Sequence, residues 1–370
     1  MLALKQDRLI KHILNGRIPS FRSFASRKDR SLTVQKVAKM VTSRNCQINP
    51  VNARRQALRT LIFATRSGLY ILLILAVTFG AGAYSVRTHG IFSCQASGYS
   101  SDGYLGYCGA TNYGDYDHGA IWFNLEPEAR AAAANAQVLF LGNSRTVFGF
   151  SSKATDEWFS SHSESYYLLG FSHFENYTFE GPLLQNLHPK AKVYVINIDS
   201  FFERSETGPG KTVMQDESAK TRYAEKRSWQ GIHKTLCTAF SAICGDNEAI
   251  FRSRSTGSWS VTGRFRGAPV SYDENIDQKK FADYVAAGQK FLPSLSGDPQ
   301  CTILTVLPAV NTDVGTARAI ASALGRPLVA PTLPGLMTFD GYHLDRESAQ
   351  SWSAAFLAQA GPQIQNCLSE

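Results

Sequence analysis

Apolar residues along this chain fall into three kinds of run, and each predicts a different element. The longest is Ser67–Val86, "SGLYILLILAVTFGAGAYSV", 20 residues without a charge. A helix of that length spans the hydrocarbon core of a bilayer. The second kind is short and unbroken: 137–141, 166–169, 192–198, 301–307 and 327–330 are apolar with little polar alternation. Strands covered on both faces read this way. The third kind is amphipathic. Leu2, Leu9, Ile10, Ile13 and Leu14 share one helical face, and Val34, Val37, Ala38 and Val41 repeat the pattern after Ser31. Basic amphipathic helices lie on anionic membrane surfaces, although a solvated tail accounts for these spacings equally well.

Helical stretches between the short apolar runs, beginning with an Ala-rich segment at 126–136, give alternating strand and helix. Right-handed crossovers and a central parallel sheet follow, so the fold class is α/β. Residues 87–125, rich in Gly, Ser, Tyr and Asp, read as a loop-rich connector. The stretch at about 204–290 interrupts the rhythm and reads as an insertion over one end of the sheet. Its "GPGKT" lacks the earlier glycine and the strand-to-helix context of a phosphate-binding loop, and no nucleotide is expected.

Charge sharpens the picture. Residues 1–66 hold 15 Lys and Arg against Asp7 and Asp29, while the whole chain is +8, so everything after residue 66 is net negative. The basic balance belongs to the tail and gives no reason to expect a nucleic-acid partner. Arg54, Arg55, Arg59 and Arg66 precede the apolar run, and Arg87 alone follows it closely. By the positive-inside rule residues 1–66 are a cytoplasmic tail, 67–86 a transmembrane helix and the remainder extracytoplasmic. Ala81-Gly82-Ala83 resembles a leader-peptidase site, but a 66-residue leader favours an uncleaved anchor. Six of the seven cysteines lie beyond the apolar run, as an oxidising compartment would use them. Six cysteines allow 15 connectivities. The local pairs Cys94–Cys108 and Cys237–Cys244 are the favoured ones, which leaves Cys301–Cys367; six buried free thiols are the alternative. No CxxC spacing points to a metal, and no cofactor is implied.

The chemistry sits at two places. "VLFLGNSRTVFGF", 138–150, breaks an apolar run with Gly142-Asn143-Ser144, and "LMTFDGYHLDRESAQSWSAAF", 336–356, carries Asp340 and His343 three apart before a carboxyl-terminal helix. A serine hydroxyl is a weak nucleophile until a base takes its proton. Histidine does that near neutral pH, and an acid beside it fixes its tautomer. Ser144, His343 and Asp340 supply the three parts. The GxSxG elbow of α/β-hydrolases does not fit, because its last position here is Thr146.

"FLGNSR" and "DGYHL" resemble the SGNH (GDSL-like) hydrolase superfamily, most nearly its membrane-anchored members that modify envelope polysaccharides. The resemblance covers roughly 137–360 and is specific only at its two ends. It implies a flavodoxin-like three-layer α/β/α domain at 126–370, with Ser144 as nucleophile, His343 as base and Asp340 as its orienter. It also implies an oxyanion hole from the serine amide, Gly170 in "YYLLGFSHFEN", and an asparagine after the third strand. That asparagine is Asn197 in "VINIDSFF", which departs from the family's GxND. Arg145 would face an anionic group or an acid of the chain; His173 would line the site or serve the structure; Trp259 would stack on a sugar ring or pin a loop.

The function these features imply is a serine O-acyltransferase or O-acetylesterase acting on an envelope polysaccharide or glycolipid. Its place would be the bacterial inner membrane, with the catalytic domain periplasmic and a membrane acyl-donor or glycan-synthesis protein as partner. The rival is a non-catalytic glycan-binding or scaffold protein that keeps the fold.

Overall fold

The computed structural model describes residues 50–109, 113–262 and 266–369. The amphipathic segments expected before residue 50, and Cys46, lie outside the described residues. The chain divides into two units, with the boundary between Leu73 and Ile74. Helix α1, Pro50–Thr88, contains Ser67–Thr88, 22 residues long and apolar enough to cross a membrane.

Within the second unit the fold is mixed α/β. A four-stranded parallel sheet is built from β3 (Val138–Asn143), β4 (Tyr166–Phe171), β5 (Val193–Asn197) and β8 (Thr302–Thr305), in the order β8-β5-β3-β4. Successive side chains of a strand point to opposite faces, and two apolar clusters divide the strand residues that way. Leu139, Leu141, Tyr167, Leu169 and Ile196 meet residues of α3 (Pro127–Asn135), α6 (Tyr177–Leu187), α9 (Gln278–Phe291) and α10 (Val314–Leu324). Val138, Phe140, Leu168 and Val195 meet α4 (Ser144–Phe150), α5 (Lys153–His162) and α11 (Arg346–Ser369). Both faces are covered, which is why these strands read as unbroken apolar runs. The fifth expected strand, 327–330, is reduced to a bridge between Leu304 and Leu328. Pro327 and Pro331 flank it and have no N–H to extend a ladder.

Residues 87–125 depart from the expected loose connector. They contribute β1 (Gly103–Cys108), β2 (Gly114–Asp115) and α2 (Asp117–Trp122). The presumed insertion contributes α7 (Gly208–Gln215), α8 (Ala219–Ala239), β6 (Ala249–Ser253) and β7 (Trp259–Thr262). These two stretches build one antiparallel sheet, β2-β1-β6-β7. Three disulfides, Cys94–Cys108, Cys237–Cys244 and Cys301–Cys367, tie the turn after α1 to β1, close the end of α8, and hold α11 to the start of β8.

Candidate active site

All four parallel strands end at one edge, and β3 ends there on Gly142-Asn143. Chain order reverses direction between β3 and β5, and open α/β sheets bind ligands at such a point. Gly142 has φ +142°, and a Cβ would meet the hydroxyl of Thr146 and Asn197 Cβ, the latter at 3.2 Å. Only glycine turns the chain here. Asn143 then caps α4: its Oδ1 accepts the Arg145 N–H at 2.9 Å, and its Nδ2 donates to Asp199 Oδ1 and Ser200 Oγ at 2.9 and 2.7 Å. Ser144 is thereby the first residue of the helix, where main-chain N–H groups have no intrahelical acceptor.

The carboxyl-terminal motif reaches the same place. His343 Nε2 lies 2.8 Å from Ser144 Oγ, and Nδ1 lies 2.7 Å from Asp340 Oδ2. Asp340 Oδ1 accepts the N–H groups of Tyr342 and His343, which locks the turn. Partial burial works to raise the Asp340 carboxyl, but the hydrogen bond and charge of His343 and these two amides outweigh it and hold it below its usual range. The imidazole stacks on Phe339 at 5.4 Å and tilts against Phe148 at 4.8 Å, and the two phenyl rings also meet each other, at 5.2 Å. These rings limit its rotation.

A cavity of about 350 Å³ opens over Ser144. Tyr107, Phe148, Trp259, Phe339 and Tyr342 give it aromatic walls, and Arg145, His173 and Glu248 its polar groups. Burial, and then the charge of Asp340, push the Glu248 carboxyl up. Burial pushes the His173 imidazole down, and nearby Asp115 and Glu175 only partly oppose it. His173 and Phe174 stand consecutively at φ 63° and 55°. Left-handed backbone at two non-glycine residues is costly and collects at functional loops.

The sequence-derived candidates divide clearly against this geometry. Ser144, His343 and Asp340 come together, and Arg145, His173 and Trp259 line the cavity. Arg145 is also committed to the chain itself, with Nη1 3.0 Å from Asp199 Oδ2 and the guanidinium over Tyr342. Trp259 is a strand residue packed edge-on against Phe148, so it is both wall and pin. Gly170 and Asn197 do not line the cavity. Gly170 is where two backbones nearly touch: a Cβ would sit 2.7 Å from Asn143 O and 2.8 Å from Val147 Cγ2. Asn197 is fully buried at the end of β5, its Oδ1 accepting weakly from Asp199 and Leu307 amides at 3.4 Å. Asn197 Nδ2 is buried with no hydrogen-bond partner among the described residues, and Gly170 lies where β4 presses on the Gly142-Asn143 turn.

Beneath the cavity lies a set of buried ionic groups that sequence reasoning missed. His118, fully buried in α2, bridges Asp115 Oδ1 and Glu175 Oε2 at 2.9 Å each. Tyr223 donates to Asp115 Oδ2 at 2.9 Å, and Thr207 donates to Glu175. Arg252, fully buried in β6, pairs with Asp117 and donates to the carbonyls of Leu168 and Gly170. Glu180 Oε1 accepts the Gly142 N–H at 3.2 Å, and burial, with the charge of Glu175, pushes its carboxyl well above the usual range. Together these groups fix Gly142, Gly170 and the 172–175 loop from behind. The one His/Cys cluster among the described residues, His233, Cys237 and Cys244, has both sulfurs in a disulfide and no thiolate to offer a metal.

Comparison with known proteins places no relative beside this geometry: no family model, curated protein or solved structure matches the chain.

Proposed function

We propose that this chain is a membrane-anchored serine acyl-ester enzyme with a three-layer, flavodoxin-like SGNH domain, acting on O-acyl groups of an envelope glycan. The supporting observation is the unbroken line Ser144 Oγ–His343–Asp340, with distances of 2.8 and 2.7 Å, opening into a cavity. Its size lies within the ~300–1,000 Å³ of ordinary ligand pockets. The aromatic walls suit the apolar faces of sugar rings. The strand order β8-β5-β3-β4 and the clusters on both sheet faces support the three layers.

In this reading Ser144 Oγ attacks the acyl carbonyl carbon while its proton passes to His343 Nε2. Asp340 holds the Nδ1–H and stabilises the imidazolium. The carbonyl oxygen becomes an oxyanion facing the Ser144 amide, which the Asn143 cap leaves unused by directing its own oxygen to the Arg145 N–H. Collapse breaks the ester bond, and the leaving alkoxide takes the proton from His343. The acyl group stays on Ser144 until an acceptor hydroxyl, deprotonated by His343, attacks it; the bond from Ser144 Oγ to the acyl carbon then breaks, and Oγ takes that proton back from His343. A sugar acceptor makes the reaction a transfer, and water makes it a hydrolysis.

The run Ser67–Thr88 and the cation-rich segment before it support one span with the amino end in the cytoplasm and the domain outside. The burial of Asn197 favours the rival reading, a glycan-binding protein, because it withdraws one oxyanion donor. The test is glycan O-acylation in cells carrying Ser144→Ala or His343→Ala at matched amounts, with ester hydrolysis by the purified chain alongside. Both variants should lose activity to the same floor, since the residues act as a unit. Wild-type acylation and hydrolysis by folded Ser144→Ala would replace the enzyme with the binding protein.

A further inference from the structure

Helix α8 carries an apolar stripe that the described chain covers only in part. Trp229, Ile232 and Leu236, followed by Phe240 at the helix's C-cap, are 50%, 43%, 37% and 63% exposed. At 3.6 residues per turn they fall within about 80° of arc. The adjoining face, Tyr223, Gln230, His233 and Cys237, is buried against the domain, so the stripe borders the packed face of the helix on its solvent side. Five Lys and Arg stand on the same helix against one acid, Glu225.

The neighbours of this helix identify what it meets. The run Ser67–Thr88 ends two residues before a short 3-10 turn, Gly90–Ser93, and that turn packs on α8. The Phe92 ring lies 6.4 Å from Trp229 and 5.6 Å from His233, and His233 Nε2 lies 3.1 Å from Cys94 O. The Gly245 and Asn247 N–H groups donate to Phe92 O and Ser93 O at 2.8 and 3.0 Å. The Cys237–Cys244 disulfide closes the turn that follows the stripe. Two residues of extended chain reach only about 7 Å, so a spanning α1 keeps this end of α8 close to the headgroups.

We propose that the Trp229–Ile232–Leu236–Phe240 face seats in the headgroup and upper acyl layer of the bilayer that holds Ser67–Thr88. The inference rests on that segment being a span. Helices with basic residues beside a Trp/Leu-rich face bury that face about 5–10 Å into the interface, and tryptophan belongs to the interfacial belt. The consequence is a second attachment. The domain is held by its span and by α8, which fixes the side it turns to the membrane.

The test uses the full chain in vesicles of phosphatidylethanolamine and phosphatidylglycerol, doped with phosphatidylcholine brominated near the headgroup end of its acyl chains. Tryptophan emission is compared for wild type and Trp229→Phe, which keeps a ring against Phe92. The proposal expects bromine quenching in wild type that the variant loses, carried by one of the five tryptophans. In Ile232→Glu/Leu236→Glu, with its disulfides intact, the quenching of Trp229 should fall at least twofold. Equal fractional quenching in wild type and Trp229→Phe overturns the docking. So does efficient cross-linking of two chains through Leu236→Cys, which would make a second copy the occupant. If the wild-type chain washes off the vesicles in alkali, the span reading itself fails, and that outcome is read separately from the quenching.

Discussion

His343 and His118 each join a carboxylate to a second oxygen-bearing side chain, and their surroundings differ in kind. His343 lies at the cavity between a carboxylate and a hydroxyl, 18% exposed. His118 lies between two carboxylates with no exposure. Burial alone would push the His118 imidazole down, but Asp115 and Glu175 outweigh it and raise it to about 10. A group charged across the physiological range can hold a fold together and cannot take a proton. His343 has one negative partner and one neutral, ionisable one, and it opens to ligand. A base needs the second arrangement and an anchor needs the first. Motif geometry alone does not separate them, since Asp115 and His118, like Asp340 and His343, are three residues apart.

The comparison breaks most visibly through stability. His118→Ala leaves Asp115 and Glu175 facing each other in the interior, and uncompensated buried charge costs about 3–5 kcal/mol. His343→Ala removes a half-open ring and should cost about 1–2 kcal/mol while abolishing activity. Denaturant midpoints of the two variants check this, and equal destabilisation would erase the distinction. The disulfides extend it to the two sheets. Removing Cys301–Cys367, with a sequence separation of 66, should cost about 4 kcal/mol, against about 2.5 kcal/mol for Cys237–Cys244, with a separation of 7. Single pairs replaced by serine and compared by thermal melting give the ranking.

A smaller effect is pH dependence. The folded value of His118 is above its ordinary 6.5, so its stabilisation is complete below about pH 6.5 and is lost as pH rises through about 10. Asp115 is held below its ordinary 3.8 by His118, against burial, so its share is lost only as pH falls through its folded value in strong acid. Melting temperature should therefore decline between about pH 6.5 and 10, and His118→Ala should flatten that decline. The smallest effect is at Glu180. A carboxyl raised this way and accepting from Gly142 is nearly isosteric with an amide, so Glu180→Gln should keep the fold to within about 1 kcal/mol and remove a loss of stability that sets in as pH rises above its ordinary 4.5. A large loss at neutral pH would mean that the carboxylate, not the acid, occupies the site.

What the sequence made legible follows the same division. Strands β3, β4 and β5 are buried on both faces, so each is an apolar run that one sequence displays without its neighbours. Ser144, Asp340 and His343 were legible because each sits at the end of such a run or in a short motif. Strands β1 and β6, "GYLGYC" and "AIFRS", have no such run, and they pair across more than 140 residues. Arg252 lies in "RSRSTGSWSVTGRFRG", which reads as solvated surface; only its distant partner Asp117 makes it an interior residue. Asn197 shows the limit at a single position. Its place at the end of the third strand was readable, but its burial there depends on neighbours distant in sequence, Gly142 and Leu307.

The central claim is that Ser144 is a nucleophile armed by His343. A fluorophosphonate probe on the folded full chain, followed by peptide mapping by mass, measures that directly. The adduct should sit on Ser144, be absent in Ser144→Ala, and form at least a hundredfold more slowly in His343→Ala, the scale of general-base catalysis. Labelling in His118→Ala, where the chain remains folded, should stay near wild type. A folded chain that gives no adduct at Ser144, or one that forms equally fast without His343, would contradict the account.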